Sequence, residues 1–479
     1  MKKILSFMML GVFTLGLAGC VTIDEDPYEV DCERYPTHPE CIEDIDPNDD
    51  EAPGLIPVLD DIPTAEPIEI TFWHVYGESK GALLDEQIAE FTQMMLDDYG
   101  VTVVIEAVSQ GDYTSIRNNT LNAITAGITP TIVVGYPDHV AGYLKGNAVI
   151  PLNDFIMHET WGVDLTDFIQ SYLDENQQYA GGYMYSFPYS KSTEMMVFNK
   201  DKFEANGITV PLDGTITWAD LDTWADTMVG TGPNQCEYLI NFDSPANFFI
   251  NSVRQWQGGY TNSEGDILVD NTNTIAMLDY VQERFEDKTF ALPVAWNESY
   301  GSNNFIAGDV CMSVGSTAGI NYNIPSDGSF EVGVAPIPQY DMDNKSAVQQ
   351  GPNIAIMSNS TDAQRLVSWL LIKHLTRADN TADWAMETGY LPVRYSGFES
   401  AAYQTFLEIT DLNNSLYYSA AAARAARLQT EFFDYDPAFA GAVTSSDARA
   451  EAEVAMQALF GGYSAQEVID DMLRQLGVN

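Results

Sequence analysis

Ile68-Glu69-Ile70-Thr71-Phe72-Trp73-His74-Val75 alternates and is rich in β-branched and aromatic side chains, which predicts a strand. Downstream, Leu83, Leu84, Ile88, Phe91 and Met95 recur at helical spacing, predicting a helix over 82–96. The near-continuous apolar run 101–108 predicts a second strand, buried on both faces. A helix follows over 113–126, stopped by Gly127, and then a short strand over 131–134. Strand, helix, strand, helix, strand is the rhythm of an α/β fold built on a parallel sheet. Further helices are expected over 218–228, 273–285, 363–376 and 450–460. Loops rich in Gly, Pro and Asn are expected over 230–234 and 321–328, and no repeat of fixed period is visible.

Upstream of the first strand the composition changes twice. Lys2 and Lys3 precede an apolar run over 4–17, followed by Leu17-Ala18-Gly19-Cys20. A short positive head, an apolar stretch shorter than the roughly 20 residues a spanning helix needs, and small residues at the exit read as an export signal over 1–19. The closing four residues resemble the bacterial lipoprotein signal, in which the cysteine, here Cys20, carries the lipid anchor. Val21 to Glu66 then holds sixteen carboxylates against Arg34 alone. Such a stretch cannot bury enough apolar surface to fold, so 20–66 reads as an extended acidic linker. Within it Cys32 and Cys41 bracket a short loop. An exported location favours a local disulfide, since two cysteines with His38 fall one ligand short of a structural zinc site. Asp44, Asp46 and Asn48 begin like a calcium loop, but Asp49 stands where glycine is needed and Leu55 where the closing glutamate belongs. Cys236 and Cys311 are either a pair or two buried thiols.

Among 479 residues, 70 are acidic and 21 are Lys or Arg, a formal charge of −49. That balance excludes nucleic-acid binding, which needs clustered cations, and disfavours adsorption of the folded region to anionic lipid. Hydrophobic residues make up 45% of the chain, enough for a folded body beyond the linker. Catalytic signatures are missing: there is no GxGxxG after the first strand and no phosphate-binding GK[ST] loop. His158-Glu159 lacks the second histidine of a zinc hydrolase, and Gly315-Ser316-Thr317-Ala318-Gly319 has Thr where a nucleophile elbow needs Ser. The five histidines are isolated, and carboxylate pairs carry little information in so acidic a chain. No enzyme, cofactor or metal is expected. Trp73-His74 lies at the carboxyl end of the first strand, where open α/β sheets bind ligands. Trp73, Trp218, Trp256 and Trp296 are candidates for stacking on a sugar, with burial the alternative for Trp218 on its helix.

Several segments occur together in a fixed order. Phe72-Trp73-His74 ends the first strand, and Phe198-Asn199-Lys200-Asp201-Lys202-Phe203 is followed by Gly207-Ile208 and Thr217-Trp218. FIAGDVCM (305–312) precedes Gly315-Ser316, and VAPIPQ (334–339) leads to Gly351-Pro352-Asn353. Thr388-Gly389-Tyr390-Leu391-Pro392-Val393 comes last. In this order the chain resembles the extracellular solute-binding proteins of ABC importers over about 68–479. It is most similar within them to binders of glycerol-3-phosphate and glycerophosphodiesters. The resemblance implies a two-lobed periplasmic-binding-protein-like fold (type II) whose lobes are joined by hinge crossings. It places the solute-binding domain at 67–479, with lobe 1 at about 68–190 and 352–388 and lobe 2 at about 194–350 and 392–479.

The same resemblance implies ligand contacts from Tyr113 in the first lobe and Ser192 in the first crossing. It implies others from Ser316 in the second lobe, from Gly351 and Tyr390 in the other two crossings, and from Arg449 near the C-terminal helices. The family's glutamate after the third strand aligns here with Pro137, following Tyr136, and Asp138 is the candidate substitute. A phosphate is held by charge-assisted, preferably bidentate donors. Arg449 suits this role, with a salt bridge to Asp447 or Glu453 as the alternative, and Lys191 and Arg394 are further cations near crossings. Gly351 is expected to admit a close approach of backbone N–H to the ligand. The expected protein is a monomer that captures a small molecule, glycerol-3-phosphate or a diester of it, and delivers it to ABC permease subunits. An oligosaccharide ligand is the alternative, and a surface glycan-acting enzyme a remote one. The expected location is the extracytoplasmic face of the cell membrane, reached through the lipid anchor alone.

Overall fold

The computed structural model describes residues 56–478 apart from 263, 440 and 442. The expected export signal, the expected lipid attachment at Cys20, the expected Cys32–Cys41 disulfide and most of the expected acidic linker lie outside the described residues. The strands are β1 (Ile68–His74), β2 (Val103–Ser109), β3 (Ile132–Gly135), β4 (Phe187–Pro188), β5 (Ser192–Asn199), β6 (Tyr238–Phe242), β7 (Phe290–Ala291), β8 (Val310–Ser316), β9 (Val332–Ala335), β10 (Ala347–Gln350), β11 (Asn353–Ile356) and β12 (Phe433–Asp434). They form two sheets, one in the order β2-β1-β3-β11-β4 and one in the order β12-β10-β5-β8-β6-β7, with β9 paired to β5.

In the first sheet β1, β2 and β3 run parallel, joined by the helices Glu78–Tyr99 and Tyr113–Ala126 as the sequence rhythm predicts. β11 then enters antiparallel to both β3 and β4. The helix Tyr113–Ala126 starts where the Asp112 carboxylate accepts from Ser115 N and stops at Gly127, whose φ of +69° suits glycine. One expectation fails. β2 is not buried on both faces but forms the sheet edge, and its exposure alternates, with Val104 52% exposed. Val104 and Glu106 share the outward, solvent-facing register, so only the alternate positions of the strand need to be apolar.

Each sheet has its own core. Phe72, Phe91, Ile132, Phe187, Ile354 and Trp369 are buried around the first, and Met196, Leu239, Phe249, Met312 and Met456 around the second. The helices Trp218–Met228 and Asp362–Leu375 match their predicted spans closely, each opened by a capping box, at Thr217 and Thr361. The helix expected from 450 begins five residues earlier, at Ser445, because Thr444 and Asp447 form its capping box. The loop expected over 321–328 is entered by a 3₁₀ turn, Thr317–Asn323. Helices Ala401–Leu407 and Tyr417–Arg427 share a small core with Ala382 and Ala385 of the helix Ala378–Thr388.

Among the described residues three segments cross between the sheets. Residues 189–191 join β4 to β5, and Gly351-Pro352 joins β10 to β11. The segment after Thr388 passes beside the first crossing, where Leu391 N donates to Lys191 O at 2.7 Å. Cys236 and Cys311 form a disulfide between the entry to β6 and β8, which are adjacent parallel strands.

Candidate functional site

A cavity of about 340 Å³ opens where helices from both sheets begin. Tyr113 and Thr114 start one of them, Pro137, Asp138 and His139 start the helix Pro137–Leu144, and Ser445 and Ser446 start the helix Ser445–Phe460. The first two follow β2 and β3 at their carboxyl ends, where parallel sheets place ligands. Three helix N-termini border this space, two of them capped by Asp112 and Thr444, and the positive ends of their dipoles favour an anion there.

Tyrosines form one wall. The rings of Tyr113 and Tyr136 lie 4.4 Å apart, and the Tyr113 and Tyr390 hydroxyls are 3.0 Å apart. Behind them the Tyr76 hydroxyl meets Ser190 Oγ at 2.8 Å, and Trp384 Nε1 donates to the same Oγ at 3.0 Å. Burial pushes the Tyr390 phenol up to about 12 and raises that of Tyr113 well above its usual value, so both remain neutral hydroxyls able to donate to an oxyanion or a polyol.

The opposite wall is a polar network centred on Arg449. Its Nη1 donates to Asp436 at 2.9 Å and its Nη2 donates to Asn247 Oδ1. Burial opposes the charge, but Asp436 beside it holds the guanidinium above its usual pKa. Asn247 also accepts from Gln350 Nε2 at 3.0 Å and donates to the buried Glu194 carboxylate at 2.9 Å. Asn251 donates to the second Glu194 oxygen at 2.8 Å. Arg449 is thus held by Asp436 from the preceding loop, and not by Asp447 or Glu453.

The two sides touch at and beside the cavity. Ser446 Oγ donates to the Asp138 carboxylate, and Lys145 Nζ donates to Gly441 O at 2.6 Å. The Ala438 amide donates to Gln178 Oε1 at 2.5 Å. This is a closed arrangement.

Of the residues singled out from sequence, Tyr113, Asp138 and Arg449 line the cavity, and Tyr390 adjoins it through Tyr113. Ser192, Ser316, Gly351 and Trp73 are not among its lining residues. Ser192 is buried at the start of β5 opposite Gln350, and Ser316 caps the 3₁₀ turn by accepting from Ala318 N at 3.3 Å. Gly351 has φ +97°, and a Cβ there would lie 1.9 Å from Ser190 O. What crowds this glycine is the neighbouring crossing's backbone. Trp73 is half-buried against the first core.

Lys191 and Arg394 are not free cations. Lys191 is fully buried on Glu175, Gly351 O and Asn353. Arg394 pairs with Asp167 at 3.2 Å and donates to Thr376 O. None of the tryptophans that are candidates for stacking on a sugar is in the described lining. Trp218 is buried, Trp256 stacks on Tyr340 at 3.7 Å, and Trp296 packs on Tyr238. Sequence reasoning missed Arg117, Tyr136, His139 and Gln350 as cavity residues. A signal existed for Arg117, which follows Tyr113 by four positions on one helix and so shares its face.

A larger cavity, about 730 Å³, lies between β9 and the helix Tyr417–Arg427 and touches none of the three crossings. Among the described residues no group of His, Cys, Asp and Glu is arranged to hold a metal, and no helix is long and apolar enough to cross a membrane.

Comparison with known proteins agrees with this architecture. Residues 86–409 match the family described as bacterial extracellular solute-binding protein. The sn-glycerol-3-phosphate-binding periplasmic protein UgpB of Escherichia coli K12 is 22% identical over 351 residues, 71% of this chain and 77% of that protein. The UgpB of Mycobacterium tuberculosis, solved with glycerophosphocholine, superposes with a TM-score of 0.67 at 20% identity, covering 85% of this chain and 97% of that one. The cyclic alpha-maltosyl-1,6-maltose binding protein of Arthrobacter globiformis superposes with a TM-score of 0.68 at 18% identity, covering 86% and 98%. These relatives are binding proteins with a two-lobed fold, and the chain belongs to the bacterial extracellular solute-binding proteins.

Proposed function

We propose that this solute-binding protein of an ABC importer captures glycerol phosphates, above all glycerophosphodiesters, in the cavity between its lobes. The observation that carries this reading is the convergence of three helix N-termini and Arg449 on one cavity walled by neutral tyrosine hydroxyls. The helix termini and guanidinium suit a phosphate, and the hydroxyls suit a glycerol. A volume of about 340 Å³ is near the lower end for ligand clefts, which favours a compact ligand over a long oligosaccharide. The names of the UgpB relatives support the same ligand class.

On this reading Tyr113, Asp138, Tyr390 and Arg449 contact the ligand, whereas Ser192, Ser316, Gly351 and Trp73 lie outside the cavity. The lobes comprise about 68–190 with 352–388 and about 194–350 with 392–479. Ligand contacts from both sides exist only when the lobes are shut, so the ligand's differential affinity closes them. The loaded, closed monomer is then what permease subunits recognise, while a lipid on Cys20 keeps it at the outer face of the membrane. The disulfide at Cys236–Cys311 supports an oxidising, extracytoplasmic location.

An oligosaccharide is the second reading, favoured by the adjacent Tyr113 and Tyr136 rings and by Pro137 at the position of the family's glutamate. Titration calorimetry of the full chain separates the two. Saturable binding of glycerophosphocholine or glycerol-3-phosphate, without binding of maltotriose, is expected. Binding of maltotriose alone overturns the first reading.

A further inference from the structure

Arg449 is the arginine that sequence resemblance brings forward, yet its charge is already committed to Asp436. The second arginine in the cavity is in a different state. Arg117 is half-buried on the helix Tyr113–Ala126, and no ion pair or hydrogen bond joins it to a described residue. In a chain with 70 carboxylates, such a cation stands without the partner that composition makes easy to supply. It shares its helix face with Tyr113, one turn away.

Beside it lies a second unsatisfied group. His139 is 5% exposed, lines the cavity in the first turn of the helix Pro137–Leu144, and its Nδ1 has no hydrogen-bond partner. Burial lowers the His139 pKa; Asp138 opposes that fall, and Arg117 and Arg449 both reinforce it. The two guanidiniums therefore sit close enough to act on one imidazole, Arg117 from the first sheet's side and Arg449 from the second's.

We infer that Arg117 and His139 form an oxyanion seat on the first lobe, opposite Arg449, and that the group seated there is the phosphate of a glycerophosphodiester. The inference rests on the ligand class proposed above and names the residue that selects for it. One unpaired guanidinium matches the single negative charge of a diester better than the double charge of a monoester. Carboxylates at the same cavity, Asp138 and Glu453, remain available to a cationic substituent on the far side of the diester. Arg117 is then a specificity-determining residue: it adds affinity for phosphate-bearing ligands and nothing for neutral sugars.

The test is calorimetric titration of the full chain, as wild type, Arg117→Ala and Arg117→Lys, with glycerophosphocholine. Thermal unfolding of each protein is measured without ligand. Loss of a charge-assisted contact predicts about 10- to 100-fold weaker binding for R117A. R117K recovers part of it, because a lysine keeps the charge but not the bidentate fork. Ligand-free unfolding temperatures stay together, since Arg117 has no partner to lose. If the wild type binds glycerophosphocholine and R117A binds it equally well, the seat is overturned and the proposed ligand class stands. If the wild type binds neither glycerophosphocholine nor glycerol-3-phosphate, both fall. If R117A unfolds at lower temperature and R117K restores no binding, Arg117 is structural and the seat is overturned.

Discussion

The ammonium group of Lys191 donates to the Gly351 carbonyl 3.0 Å away, tying the first crossing to the second, and the same ammonium holds the Glu175 carboxylate. Its own backbone carbonyl accepts from Leu391 of the third crossing. One fully buried residue thus touches every crossing, and its ionic partner Glu175 lines the cavity. The hinge and the site share a side chain.

Breaking this pair is predicted to be costly. Burial pulls the Lys191 ammonium below its usual pKa while Glu175 pushes the other way, so the charge persists through its partner. Lys191→Met strands a buried carboxylate, and a cost of about 3–5 kcal/mol is expected in urea unfolding. The double variant Lys191→Met/Glu175→Gln should cost less than the sum of the singles. Additive losses would mean that the two side chains do not act as a pair.

Glu194 sets a pH dependence of stability. Burial raises its carboxyl to about 7, against the opposing hydrogen bonds of Asn247 and Asn251 and the charge of Arg449, with Asp243 adding to the rise. An unfolded glutamate ionises near about 4.3, so across the window from there to 7 the folded chain holds more protons. Its contribution is therefore present in full at the acid end and is lost as pH rises through 7. Glu194→Gln removes this slope, and its urea midpoint should gain on the wild type between pH 5 and 8. A constant gap over that range would show that Glu194 does not titrate there.

Much of this architecture was legible in local pattern. The first strand, the helix ending at Gly127 and the helix opened by Thr217 were readable because periodicity and caps are properties of neighbouring residues. What escaped was set by distant pairing. Whether 103–109 is central or edge depends on which strands flank it, and the pattern that could have told, Val104 and Glu106 on one face, was overridden by the length of the apolar run. Within the site, Tyr113 and Arg449 were legible by resemblance. The Asp436 partner of Arg449 comes from a loop, and the burial of Lys191 between crossings is set by residues distant in the chain.

The cysteine pair shows the same limit. Cys236 and Cys311 are separated by 75 residues and meet only because β6 and β8 are adjacent. Closing a loop of that size constrains the unfolded chain, so Cys236→Ala/Cys311→Ala should lose about 2–5 kcal/mol. Matching unfolding curves with and without dithiothreitol would contradict this.

Closure itself is expected to rest partly on the hydrogen bond from Ser446 to Asp138 at the cavity mouth. Ser446→Ala should leave ligand association nearly unchanged and speed release about 2- to 10-fold in stopped-flow fluorescence. A slowed association with unchanged release would place the residue on the entry path instead.

Small-angle X-ray scattering of the full chain, without ligand and at saturating glycerophosphocholine, tests the hinged grip most directly. The account predicts a ligand-free profile with a larger radius of gyration, contracting on saturation to that of the closed arrangement held by Asp138–Ser446 and Lys145–Gly441. Superimposable profiles, with calorimetry showing the ligand bound, would contradict it.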